Sequence, residues 1–451
     1  MPNPLNTLRS ALGEAVFSPD DPRYPAFRAG LFTPLAATAR PACVVQPENA
    51  RQVATAVRIA HDAGCAVTTR GGGLSTICSA TDAVVIDLKA RMGGGRLIGD
   101  RARMGGGATM GQTLDVLASI GRVVPIGSVG LAGMGLATQG GFGHLTRTHG
   151  LTLDHLVEAE LVTADGEIHT LSDASTGDEA GLWWAVRGAA PPFGVVTAVT
   201  FRTHPTPVGL TVLRSVTPVE SLPGFVTWAD DLPDNVNASA TVVTPTGAAG
   251  PVLFSYVVAQ AAASDRIRDG LDAACGVPIW RESSTLDYSA QPAFDPPGTG
   301  DAVAGPIWCA EKCPLLGRVS PGVAARVVGL MQSAPSNLCR IDFQHAGGVM
   351  SQIAVESAAF AGRRALWNVP IIGAWAGAGD ASVGLACARW VADVWSALEP
   401  SIVGAYSTEI RPGLPETGRE VALAFGPNLP RLRAIKQHWD PANTFRHSYP
   451  L

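Results

Sequence analysis

Arg70-Gly71-Gly72-Gly73-Leu74-Ser75 follows the apolar run Cys65-Ala66-Val67-Thr68-Thr69. Three glycines carry no side chain to hold an anion off, and they reach positive φ freely. Their N–H groups can therefore crowd around a phosphate. One such run is also what an ordinary tight turn looks like, but here the pattern recurs. Arg103-Met104-Gly105-Gly106-Gly107-Ala108 repeats it, and a long glycine-rich tract runs from Pro125 to Leu145 through Gly127, Ser128, Gly133, Gly140, Gly141, Gly143 and His144.

Further pieces follow in order: Glu160-Leu161-Val162-Thr163-Ala164-Asp165-Gly166, Leu182-Trp183-Trp184-Ala185-Val186-Arg187-Gly188 and Phe193-Gly194-Val195-Val196-Thr197. Near the end come Gly404-Ala405-Tyr406, Phe425-Gly426-Pro427-Asn428-Leu429 and Asp440-Pro441-Ala442-Asn443-Thr444-Phe445-Arg446. From about residue 38 onward the series resembles the vanillyl-alcohol oxidase / p-cresol methylhydroxylase superfamily, and within it the berberine-bridge-enzyme-like FAD-linked oxidoreductases. The resemblance implies FAD as cofactor. It implies that Arg70, Gly71, Gly72, Gly73, Leu74 and Ser75, the tract glycines with Ser128 and His144, and Val196 lie about it. It also implies a small-molecule substrate from specialised metabolism and electron transfer to O2 or another acceptor.

The departures from the family pattern bear on the chemistry. The family places a histidine after the triple glycine, bonded to the flavin 8α-methyl, where this chain has Leu74. Many members add a cysteine bonded to flavin C6, and residues 125–135 contain none. Ala189-Ala190-Pro191-Pro192 replaces a glycine stretch, Gln139 stands where a triple glycine would begin, and Arg446-His447-Ser448-Tyr449 replaces the usual ending. Two expectations follow. FAD is held without a covalent bond and oxidises an alcohol or amine C–H or drives a ring closure; or the same scaffold has turned to a non-redox cyclisation or isomerisation.

Oxidation of that kind needs a group to handle the O–H or N–H proton. The resemblance places the strand containing Asp342-Phe343-Gln344-His345 over the flavin. Side chains alternate along a strand, so Asp342 and Gln344 share one face while Phe343 and His345 share the other, and only one pair can look at the cofactor. Tyr406 matches a family tyrosine near the flavin, and Glu409 follows it closely. The candidates are thus Tyr406, His345, Asp342, Gln344 and Glu409.

The elements that must position these groups are legible. Asn49 caps a helix predicted over Ala50–Ala63, with Val53, Ala56, Val57 and Ala60 on one face, and strands at Pro41–Val45, Ala66–Thr69 and Ala83–Leu88 complete a β-α-β beginning. The expected class is α+β. A lead-in (1–37) precedes a two-part FAD-binding domain (38–205, divided into 38–99 and 100–205). A substrate-binding α+β domain with an antiparallel sheet over the flavin (206–398) follows, and then a C-terminal return (399–451). Pro292–Gly300 reads as a surface loop. The 451 residues, 46% hydrophobic and 16% charged, suit a packed multi-domain enzyme, and a net charge of −5 speaks against nucleic acid or an anionic membrane as partner. No run of eighteen apolar residues and no basic-then-apolar leader is read at the N-terminus, so a cytoplasmic location is expected. Eight scattered cysteines make no disulfide framework. Cys309 and Cys313 are the only close pair, and with no other ligand at short spacing no metal is expected.

Overall fold

The computed structural model describes residues 4–290, 307–377 and 381–451. The loop expected at 292–300 lies outside them. Helix Ala50–Asp62 forms where predicted, its Asn49 side chain accepting from Gln52 N–H at 3.1 Å. Val53, Ala56, Val57 and Ala60 are fully buried, packed with Val45, Val84 and Ile86 in one cluster. Each buried valine there contributes about 1.5–3 kcal/mol. The helix links two strands of a four-stranded sheet ordered Val16–Phe17, Cys43–Val45, Val84–Asp87, Val67–Arg70, whose last three strands run parallel. Strand Val16–Phe17 pairs antiparallel with Cys43–Val45, so the lead-in is built into this sheet.

A second, antiparallel sheet orders Gly95–Ile98, Arg101–Gly105, Val195–Phe201, Leu156–Val162 and Ile168–Ser172. Its first two strands form a hairpin. The expected boundary at 99/100 cuts that hairpin at its turn, so the second subdomain begins before Gly95. Among the described residues the third sheet has ten strands drawn from 210–405, including Asn237–Val243, Arg340–His345, Trp367–Asn368, Pro314–Leu316 and Ile402–Ala405. Ile402–Ala405 pairs with Pro314–Leu316, which puts the return to the cofactor half after Ala405 rather than at 399.

The return is tight. Val67 N–H donates to Thr444 O at 2.9 Å, His61 Nδ1 lies 2.8 Å from Thr444 Oγ1, and Phe445 joins the core of the first sheet. Lys436 Nζ donates to Asp440 at 2.5 Å and to Pro192 O at 2.8 Å. Between the halves, Arg363 is buried and makes two bonds to Asp154, at 2.9 and 2.7 Å. Among the described residues no helix is long and apolar enough to cross a membrane.

Candidate active site

A cavity of about 360 Å³ lies where the three sheets meet. One end is the glycine loop leaving strand Val67–Arg70. Gly72 sits against the second glycine tract so closely that a Cβ there would meet Gly133 N at 2.7 Å, and Gly73 has φ +85°. Among the described residues, no protein acceptor takes the N–H groups of Gly72, Gly73, Leu74 or Ser75. The buried Thr68 Oγ1 is likewise unpartnered and faces this end. A row of free donors over a glycine floor suits a pyrophosphate, which needs many N–H bonds and close backbone approach. These residues fit FAD. Gly71, Gly72, Gly73, Leu74, Ser75, Gly127, Ser128, Gly133 and Val196 all line the cavity.

Other predicted residues take second-row positions. Arg70 turns away, donating to Gly30 O at 2.8 Å and pairing with Asp87 at 3.4 Å. Burial pushes the Asp87 carboxyl up and Arg70 pulls it back. Gly140, Gly141 and Gly143 lie behind the wall. Gly141 N–H donates to the Tyr406 hydroxyl at 2.8 Å, and a Cβ on Gly140 would strike the Tyr406 ring at 2.7 Å. His144 is buried and stacked on Tyr256 at 4.7 Å, away from the cavity, with its imidazole pushed down to about 4 by burial.

The opposite end is polar. Strand Arg340–His345 presents Gln344, whose Oε1 accepts from Asn368 Nδ2 at 2.7 Å, and Cys313 Sγ donates to Asn368 Oδ1 at 3.1 Å. Gln344, Asn368, Tyr406, Thr408, Glu409 and His447 face the cavity. Alternation therefore resolves to the Gln344 face. Asp342 shares that face but lies two residues along, outside the lining. It accepts from Thr241 Oγ1 at 2.8 Å and pairs with Arg340 at 3.5 Å. His345 points the other way and is no base: Ala238 N–H and Arg147 Nη1 each approach a ring nitrogen at 3.1 Å, and Trp367 stacks on the ring at 4.8 Å. Burial first, then the arginine, hold it well below the ordinary histidine range, so it stays neutral.

Tyr406 is buried, which raises its phenol above the usual range. Its oxygen already accepts from Gly141, so its hydrogen is the part left to give. Glu409 is part-buried and lines the cavity. Burial first, then the like charge of Glu311, push it well above the carboxylate range. Asn368, Thr408 and Cys78 were not anticipated. Cys78 lines the wall with its thiol pushed up to about 12 by burial, which makes it a packing group rather than a nucleophile. His447 falls in the terminal segment already marked as departing from the family.

A family model for an FAD binding domain matches residues 41–172, and one for berberine and berberine-like proteins matches residues 414–450. The chain is 32% identical over 264 residues to FAD-linked oxidoreductase penO of Penicillium crustosum, covering 56% of each chain. It is 32% identical over 244 residues to (R)-6-hydroxynicotine oxidase of Paenarthrobacter nicotinovorans, covering 51% of this chain and 47% of that one. The matches thus span about half the length of these curated relatives. The fold superposes on Physcomitrella patens BBE-like 1 with a TM-score of 0.84 over 99% of both chains, at 20% identity. One family model falls on the free-donor loop and the other on the C-terminal return, so in these two stretches the chain is similar to FAD-binding and berberine-like proteins, in line with the resemblance its sequence carries.

Proposed function

We propose that this protein is an FAD-dependent oxidoreductase that holds its flavin without a covalent bond and oxidises a C–H next to a hydroxyl or amine, or closes a ring oxidatively, in a mid-sized metabolite. The observation that carries this is a single cavity with phosphate-type donors at Gly72–Ser75 and a proton-handling cluster of Tyr406, Thr408 and Glu409 at the other end. Bound FAD supplies a hydride acceptor. The residues do the rest. Gln344 and Asn368, locked by their mutual 2.7 Å bond, orient a polar group. Tyr406 donates its hydroxyl hydrogen, and Glu409 handles the proton. Among the described residues lining the cavity there is no lysine or arginine. That favours a neutral alcohol or an amine over a carboxylate substrate, whose charge would be left unpaired. Leu74 and Cys78 leave the wall apolar where the family's histidine stands.

An absorption spectrum before and after acid precipitation, followed by anaerobic addition of alcohols and amines, tests the reading. The expected result is flavin in the supernatant and bleaching by a substrate. Flavin retained in the pellet refutes non-covalent binding. Product formed with no bleaching refutes the redox reaction in favour of a cyclase.

A further inference from the structure

Strand Ile307–Lys312 carries Glu311, a close neighbour of Glu409 whose like charge bears on it. The two ends of this pair differ. Glu409 faces the cavity and accepts from Thr408 Oγ1 at 3.1 Å. Glu311 lies 3.5 Å from Arg411 Nη2, and its other oxygen is 3.6 Å from Cys309 Sγ. The side chains of Glu311 and Arg411 remain 18% and 19% exposed, and neither residue lines the cavity. Arg411 is fixed by a 3.1 Å bond to Cys309 O. Two neighbouring carboxyls within protein cannot both carry charge at low cost, so a proton sits between them. One member of the pair lines the reaction space, and the other pairs with a partly exposed arginine.

We propose that Glu311 is the exit for the substrate proton: Glu409 takes it from the substrate O–H or N–H on its cavity side while passing its own proton to Glu311, which releases it to water beside Arg411. This rests on the oxidoreductase reading above. The balance is complete. The substrate O–H or N–H bond breaks and an O–H forms on Glu409. The earlier O–H of Glu409 breaks and one forms on Glu311, which then gives a proton to water. Bound FAD would supply the acceptor for the C–H hydrogen and its electron pair. Glu409 thereby ends each turnover protonated, as it began. Glu311 touches no substrate; it is a positioning residue that acts through Glu409.

The test uses the FAD-loaded protein. Infrared difference spectra across pH read the protonated carboxyl directly, with or without a substrate. The expected band is absent in Glu409→Gln, and in Glu311→Gln it titrates away at lower pH because the like charge is gone. In turnover, Glu311→Gln is expected to lower kcat by about tenfold or more with KM nearly unchanged, and to displace the pH profile. Glu311→Asp restores part of the loss and serves as the second variant should the glutamine not fold. A band and a pH profile that are both unmoved in Glu311→Gln overturn the proposal. Failure of the parent reading is distinguishable: no compound bleaches the wild-type flavin while the band still responds to Glu311→Gln, and the relay then falls with that reading.

Discussion

Gly72→Ala tests whether the floor of the glycine loop depends on backbone-to-backbone contact. A Cβ at residue 72 would lie 2.7 Å from Gly133 N and 3.2 Å from both Gly133 Cα and Leu131 O. All three are backbone atoms, so no rotamer change relieves the clash, and the two loops must part by roughly 0.7 Å or more to reach ordinary contact. Gly72 is not among the glycines at positive φ, so alanine brings no conformational penalty of its own. Overpacking of this kind costs about 1–3 kcal/mol. Both loops line the cavity, so the strain falls on the geometry that binds cofactor. At 1.4 kcal/mol per tenfold, the FAD dissociation constant should rise by about 5- to 150-fold. Titration of apoprotein with FAD, followed by flavin fluorescence, measures it. Gly94→Ala is the control, since a Cβ there meets nothing within 4 Å and φ is unstrained. A Gly72→Ala protein that binds FAD within twofold of wild type, with unaltered thermal stability, refutes the argument.

Leu74→His is expected to let part of the FAD stay with the protein through acid precipitation; complete release of flavin in repeated preparations counts against it. Arg363→Met should destabilise by about 3–5 kcal/mol, because it strands buried Asp154 opposite a lost bidentate partner, and urea midpoints read the loss. His155 Nδ1 lies 2.9 Å from Leu151 O, so that nitrogen carries the hydrogen, and His155 Nε2 then accepts from His204 Nε2–H at 2.7 Å. Burial holds both rings down to about 4. The folded state therefore binds fewer protons than the unfolded one. The stability from this pair is full above about 6.5 and is lost as pH falls toward 4. His155→Gln should flatten that slope, and equal acid sensitivity in the variant shows that other groups set it.

How far the molecule was legible depended on whether signals were local. Helix Ala50–Asp62 was, because its cap and its buried stripe lie within fifteen residues of sequence. The subdomain boundary was misplaced because Gly99-Asp100 is a hairpin turn joining two strands of one sheet, and a turn reads like a linker when pairing is unseen. Alternation limited the strand at Asp342–His345 to two faces, but only the cavity's position, with Gln344 in its lining and His345 bonded to Arg147 and Ala238 on the other face, selects between them. Asn368 itself has no sequence signal; it matters only because Gln344 lies across from it. Glu311 sat unnoticed between two cysteines, since its partner is 98 residues away. The glycine loops were legible because phosphate binding by backbone amides leaves its mark in the residues that are missing side chains.

The tie between Val67 and Thr444, and the seating of Phe445 in the first sheet, join residues almost four hundred positions apart. The first sheet is therefore finished by a segment made nearly four hundred residues after its strands. A nascent chain can form helix Ala50–Asp62 early, but one edge of its sheet waits unpaired through the synthesis of the entire second half. Closures of such long sequence separation are slow, and intermediates that lack them expose apolar surface. The segment around Thr444 and Phe445 thus latches the strand that leads into the glycine loop.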